Sequence, residues 1–274
     1  MEGHPEMTTS VERAVAAVRG GAGAGDPLAG RRALVTGGSR GLGREIAIAF
    51  AAAGADVAVA SRRKDTCEEL AGELASATGR RVSAHAAHVG EWDRLDPLLD
   101  EVEQELGPVD VLVNNAGIAL VYPSLDAVSE ALFDKVFAVN VKGPFRLMAA
   151  AGRRMAPRGG GVVLNISSMG SQRPTAGDLP YTAAKSALNT LTAGFAQEYG
   201  PGVRVNTILA GPFATDISKA WDPDVVERMA RDWPSRRVGE PHEIVGAALY
   251  LCGPHATYTT GALLAVDGGR LAAP

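Results

Sequence analysis

Apolar residues follow two rhythms along this chain, and the rhythms alternate. Short, nearly unbroken apolar runs read as buried strands: Ala33-Leu34-Val35, Asp56 to Ala60, Val82 to Ala87, Val109 to Val113, Gly161 to Ile166, Val203 to Leu209 and Ala262 to Val266. Between them lie longer stretches with a helical period: about Leu42 to Ala53, Asp65 to Ala77, Trp92 to Leu106, Ser129 to Arg154 and Tyr181 to Tyr199. Apolar strands spaced by helices predict βαβ units and a parallel sheet covered on both faces. The expected fold class is α/β, a Rossmann-like doubly wound parallel sheet of about seven strands with helices on both faces.

Length and composition narrow this picture. The chain has 274 residues, 46% of them apolar and only 5% aromatic, which suits close helix-on-sheet packing. A net charge of −4 without a long basic run gives no sign of nucleic-acid binding. No apolar run reaches membrane-spanning length. Cys67 and Cys252 are far apart and flanked by helical patterns, so a reducing, cytoplasmic compartment is expected. His4, His85, His88, His242 and His255 show no metal-ligand spacing, and no catalytic metal is expected.

The domain is expected to span residues 31–274. Residues 1–30 hold a short helical pattern, Val11 to Val18, and then Gly20-Gly21-Ala22-Gly23-Ala24-Gly25. They lack the basic start and apolar core of a secretory signal, and Glu2, Glu6 and Glu12 make them too acidic for a transit peptide. The expectation is a mobile tail on a Gly-rich linker.

Candidate chemistry gathers at the ends of the strands. The turn Thr36-Gly37-Gly38-Ser39-Arg40-Gly41-Leu42-Gly43 joins the first strand to a helix, the context of a dinucleotide site. Glycines let backbone approach a pyrophosphate, and the helix start offers free N–H groups. An acidic residue ending the second strand would bond a ribose 2′-hydroxyl. Here Ser61, Arg62 and Arg63 stand there, with Arg40 in the turn. Arginine suits a phosphate, so NADP(H) is predicted over NAD(H).

The fourth strand ends in Asn114-Asn115-Ala116-Gly117, whose amides can lock the loop and whose glycine allows close approach of a ligand. Asn140 falls inside a helical pattern, where Asn has poor propensity. The fifth strand delivers Ser167 and Ser168 to the carboxyl end of the sheet, where ligands bind in such folds. Tyr181 and Lys185 share a helix face one turn apart. A neighbouring ammonium lowers a phenol's pKa from its usual value of about 10. A shift of roughly three units, on the order of 4 kcal/mol, would make Tyr181 a proton donor and acceptor near neutral pH.

Together these pieces, in this order and closed by Val266-Asp267-Gly268-Gly269, resemble the classical short-chain dehydrogenase/reductase family from about Arg31 to Gly269. The resemblance implies an NADP(H)-dependent oxidoreductase that interconverts a ketone and a secondary alcohol by hydride transfer. It assigns Tyr181 as acid/base, and Lys185 to tuning Tyr181 and holding the nicotinamide ribose. The thirteen-residue step to Tyr181 selects Ser168, rather than Ser167, to bond the substrate oxygen. Asn140 would hold a water linking Lys185 to solvent. Cofactor contacts are implied for Gly37, Ser39, Arg40, Gly41, Leu42, Gly43, Ser61, Arg62, Arg63, Asn115, Ala116, Gly117, Tyr181 and Lys185.

Two places depart from the family pattern. His88-Val89 stands where Asp-Val is common, so the adenine contact is open: a neutral imidazole nitrogen could accept the adenine amino proton. Ala210-Gly211 replaces Pro-Gly, with Pro212 following; Gly211, the Phe213 amide and Thr215 remain available for the nicotinamide end. Residues 212–236 read as a substrate lid carrying Trp221, Met229 and Trp233. Tyr122, Arg173 and Asp178 could line the pocket. The family usually forms homotetramers, sometimes dimers. Leu132, Phe133, Val136, Leu147 and Ala151, with Leu188, Leu191 and Phe195, could supply the contact or face the sheet. Other readings are a sugar or polyol dehydrogenase working oxidatively, and a non-catalytic NADP(H)-sensing protein.

Overall fold

A computed structural model describes residues 9–21, 26–215 and 230–273. Seven strands form one sheet: β1 Arg32–Thr36, β2 Asp56–Ser61, β3 Val82–Ala86, β4 Val111–Asn114, β5 Gly161–Ser168, β6 Val203–Ala210 and β7 Leu263–Val266. Their order is β3-β2-β1-β4-β5-β6-β7 and every pairing is parallel. The strand order therefore reverses between β1 and β4. That switch point opens a crevice at the carboxyl ends of the strands.

The helices among the described residues are α1 Ser10–Gly21, α2 Gly41–Ala52, α3 Lys64–Thr78, α4 Leu95–Leu106, α5 Glu130–Phe137, α6 Gly143–Met155, α7 Leu179–Tyr199 and α8 Val245–Cys252. Successive strand residues point to opposite faces. Val57 and Val59 of β2 join one core with α2, α3 and α8, while Ala58 and Ala60 join the other with α4, α6 and α7. This is the doubly wound sheet that the alternating rhythms predict.

Three local features differ from the sequence reading. The first is the N-terminal extension. Over residues 10–21 it is helix α1 rather than a tail, begun by a reciprocal cap: Glu12 N–H donates to Thr9 Oγ1 at 3.1 Å and Thr9 N–H to Glu12 Oε2 at 2.6 Å. Val11 and Val15 are buried against the core of α2 and α3, and Arg44 Nη2 donates to Ser10 Oγ. An i, i+4 apolar pair on a capped helix found a partner surface, which a tail lacks. Removing two buried methyl-sized groups costs about 2 kcal/mol. Val11→Ala should therefore lower the denaturant midpoint measurably, and an unchanged midpoint would restore the mobile-tail reading for this segment.

The second difference lies in the long helical pattern after Ser129. It is interrupted by a π-helical turn, Ala138–Lys142, between α5 and α6. Pro144 has no N–H to give the carbonyl of residue 140, so an uninterrupted α-helix would lose that bond. π turns often mark functional sites. The third concerns the proposed subunit face. Val136, Leu147, Ala151 and Leu188 are buried within the subunit, whereas Phe133 and Phe145 stay exposed at 42% and 39%. Most of the expected lid, including Trp221 and Met229, lies outside the described residues; Trp233 is buried.

His85 on outer strand β3 is buried, with Nε2 2.8 Å from Ser83 Oγ. Burial holds its pKa below the usual value, with Lys64 acting the same way, while Glu105 and Glu101 oppose. A depressed folded pKa means that the neutral ring is favoured. Its contribution is full above the unfolded value of about 6.5 and is lost as pH falls below it. Wild-type protein should lose stability on acidification more steeply than a His85→Leu variant in denaturant titrations; equal slopes would contradict this.

Candidate active site at the carboxyl edge of the sheet

The Gly-rich turn is tied to the end of β4. Asn115 Nδ2 donates to the carbonyls of Thr36 and Gly37 at 3.0 and 3.1 Å. The Thr36 hydroxyl accepts from the Asn115 and Ala116 amides and donates to the Val113 carbonyl. The turn is therefore closed on its inner side, and side chains are excluded there. A Cβ at Gly37 would lie 2.8 Å from Asn115 Nδ2, and one at Gly43 would strike the Gly37 carbonyl. Gly41 has φ +54°, the left-handed region that favours glycine, and opens helix α2. Leu42 lies in the first turn of that helix. A Gly-rich turn leading into a helix N-terminus fits a pyrophosphate.

Beside it, Ser39 Oγ and Ser61 Oγ are 2.9 Å apart, and Ser61 Oγ is 3.0 Å from the buried Cys67 Sγ. Sequence reasoning named the serines but missed Cys67, which their contact with α3 brings in. Arg40, Arg62 and Arg63 are exposed around this pair and none is matched with a carboxylate among the described residues. Three exposed arginines near the end of β2, unpaired with a carboxylate among the described residues, fit a 2′-phosphate. His88 follows β3 on the same edge. Its Nδ1 accepts from the Gly90 amide at 3.1 Å. Val89 is buried beneath α6, where its carbonyl abuts Gly143.

The reacting end sits between β4, β5 and α7. Lys185 is 3% exposed, and its Nζ donates to the Ile166 carbonyl at 2.8 Å. The ammonium lies 5.7 Å from the centre of the Tyr181 ring. Asn140, in the π turn, is wholly buried. Its Nδ2 donates to the carbonyls of Ile118 and Val136, and its Oδ1 accepts from the Ile118 amide. A Cβ at Gly117 would stand 2.9 Å from Asn140 Oδ1 and 3.4 Å from Lys185 Nζ. Gly117 therefore lets the asparagine and the lysine approach. Ser168 Oγ accepts from the Gly170 amide, and the Ser168 hydroxyl lowers the pKa of the Tyr181 phenol.

The electrostatics differ from the sequence expectation. Burial pushes the Tyr181 phenol up to about 12; the Ser168 hydrogen bond pulls it down, and Asp178 raises it further. Burial pulls the Lys185 ammonium down to about 8. The predicted depression of Tyr181 by Lys185 thus does not appear in the protein alone. The ammonium is spent on a backbone carbonyl and lies over the ring rather than at the hydroxyl. A phenol in this pocket stays protonated at neutral pH.

A supporting network was not foreseen. Asn114 Nδ2 donates to Asn165 Oδ1, Asn165 Nδ2 donates to Thr192 Oγ1, and Thr192 Oγ1 lies 2.7 Å from Thr207 Oγ1. These buried groups join β4, β5, β6 and α7 and fix the helix that carries Tyr181 and Lys185. The available signal was Thr192, seven residues after Lys185 and so on the same helix face. A second chain, Asn189 to Ser171 and Ser171 to the Ser168 carbonyl, braces the serine turn.

Beyond β6, Gly211 packs so tightly on Asp267 that a side chain is excluded. The Phe213 ring is buried, and Thr215 Cγ2 approaches the position of a Gly41 Cβ to 3.6 Å. Three residues suggested for the pocket lining are each fixed by hydrogen bonds. Tyr122 Oη donates to the Ala176 carbonyl and accepts from the Leu179 amide. Arg173 Nη1 donates to the Arg270 carbonyl, and Asp178 Oδ1 accepts from the Thr175 hydroxyl.

Comparison with known proteins agrees with this geometry. A family model described as enoyl-(acyl carrier protein) reductase matches residues 37–270. Galactitol 2-dehydrogenase (L-tagatose-forming) of Cereibacter sphaeroides is 40% identical over 88% of this chain and 95% of its own. A short-chain type dehydrogenase/reductase from Mycobacterium marinum superposes with a TM-score of 0.84 at 33% identity, covering 91% of this chain and 98% of its own. A gluconate 5-dehydrogenase from Burkholderia cenocepacia, in complex with NADP and tartrate, superposes with a TM-score of 0.86 at 33% identity over the same shares. The chain belongs to the short-chain dehydrogenase/reductase family and is an oxidoreductase.

Proposed function

We propose that the protein is an NADP(H)-dependent oxidoreductase that interconverts a ketone and a secondary alcohol. One observation carries this reading. The Tyr181 phenol, whose pKa burial raises and Ser168 lowers, and with the Lys185 ammonium 5.7 Å from its ring centre, stands on the sheet edge that also bears the Gly-rich turn and three arginines unpaired among the described residues. The NADP-bound gluconate 5-dehydrogenase supports the choice of cofactor.

Gly37, Gly41, Leu42 and Gly43 would hold the pyrophosphate, and Ser39, Arg40, Ser61, Arg62 and Arg63 the 2′-phosphate end. Asn115, Ala116 and Gly117 shape the floor, and Lys185, Gly211, Phe213 and Thr215 serve the nicotinamide end. NADPH, when bound, supplies the hydride. Ser168 orients the carbonyl oxygen by a hydrogen bond. Tyr181 gives that oxygen its proton, and takes it back in the oxidative direction. A positive charge must offset the cost of a partly buried phenolate. Lys185, whose ammonium lies 5.7 Å from the Tyr181 ring centre, supplies it, and Asn140 positions the path by which it exchanges protons with solvent. No helix among the described residues is long and apolar enough to cross a membrane. We place the protein in the cytoplasm as a homotetramer, with exposed Phe133 and Phe145 in its subunit contacts.

NADPH absorbance decay against a panel of ketones tests the reading; no turnover despite tight NADPH binding would favour a cofactor sensor. The pH dependence is specific. Lys185 loses its proton above about 8, whereas Tyr181 stays protonated until about 12. NADPH-driven reduction should therefore fall as pH rises through about 8, when the ammonium supporting the phenolate is lost. A flat rate from neutrality well into the alkaline range would contradict that role for Lys185.

A further inference from the structure

We propose that His88 presents a hydrogen-bond donor to the purine of the cofactor, so that adenine is held without a bond to its 6-amino group. The inference rests on the NADP(H) reading and concerns the end of the site remote from the chemistry.

Position comes first. β3 runs beside β2 in register, Ser61 opposite Ala86, and the Ala87 amide donates to the Ser61 carbonyl at 2.8 Å. The chain leaving β3 therefore passes alongside Ser61, Arg62 and Arg63. A ribose whose 2′-phosphate lies among those arginines brings its base within reach of this segment. In the run Ala86-Ala87-His88-Val89-Gly90, His88 has the only polar side chain.

The state of the ring follows from its own turn. The Gly90 N–H points at His88 Nδ1, 3.1 Å away. A backbone amide can only donate, so Nδ1 accepts and carries no proton; the neutral ring then bears its proton on Nε2. Turning the ring over would set a carbon against the amide and leave the N–H without its bond. Gly90 makes the arrangement possible, since a Cβ there would come within 2.9 Å of His88 Cε1. The nitrogen left for a ligand is a donor. A carboxylate at this position would be an acceptor. Adenine offers a donating amino group at C6, which a carboxylate can bond and Nε2–H cannot. Hypoxanthine offers an oxo acceptor at C6, which Nε2–H can bond.

The test compares dissociation constants of NADPH and reduced nicotinamide hypoxanthine dinucleotide phosphate. Both are measured by calorimetry in one buffer under the same conditions. Wild-type protein should distinguish the two by less than about fivefold, and His88→Asp should raise the preference for NADPH by about tenfold or more. A wild-type preference for NADPH above about fivefold, or a His88→Asp ratio equal to wild type, overturns the proposal. If the aspartate variant does not fold, the wild-type ratio decides alone. Failure of wild type to bind either dinucleotide would bring down the NADP(H) reading and this inference with it.

Discussion

Tyr181→Phe is expected to cut kcat by roughly 10²–10⁴-fold, the usual contribution of a positioned acid/base group. The NADPH dissociation constant should stay within a factor of about three, because the lost atom serves the transition state rather than the ground state. The geometry explains why no neighbour can substitute. The Gly170 amide fixes Ser168 Oγ in its orienting role, and Lys185 Nζ is held on the Ile166 carbonyl. Phenylalanine fills the same volume, so the helix and the serine turn should keep their structure. Equal losses in kcat and in NADPH affinity would point to a collapsed site instead. Retained turnover would remove Tyr181 from the mechanism.

Arg62→Asp is expected to move the ratio of kcat/KM for NADPH over NADH by ten- to a hundredfold toward NADH. A hydrogen bond to a charged group is worth roughly 1.5–3 kcal/mol, and an aspartate adds repulsion toward a 2′-phosphate. Arg62 is exposed and has no carboxylate partner among the described residues, so its removal should cost little stability. Arg40→Ala and Arg63→Ala should shift the ratio less, and not additively, because all three would share one phosphate. An unchanged ratio in Arg62→Asp would place the 2′-phosphate elsewhere.

What could be read from sequence was whatever a short window determines. The apolar runs gave seven strands within a few residues of their ends, and the Gly-rich turn and Tyr181-x-x-x-Lys185 fell where strand and helix ends must put them. The misses needed a partner distant in the chain. Val11 and Val15 form a visible helical pair, but only the surface of α2 and α3 makes them core. The Tyr181 phenol is set by burial, which adjacency to Lys185 along a helix does not reveal. Asn165 sits in an apolar strand where its amide looks out of place until Asn114 and Thr192 arrive from β4 and α7. The π turn at Asn140 was foreshadowed by Pro144, four residues later, a local signal that the helical period concealed.

The central claim is that Tyr181 moves a proton while NADPH gives its hydride to a carbonyl carbon. Label transfer tests it most directly. Wild-type enzyme is given NADPH carrying deuterium at both hydrogens of nicotinamide C4 and a ketone it turns over, and the alcohol is examined by mass spectrometry and NMR. The expected result is deuterium on the carbinol carbon, retained in ordinary water, with Tyr181→Phe yielding almost no labelled alcohol. Alcohol formed without the label, or label lost to solvent, would contradict direct transfer at this site.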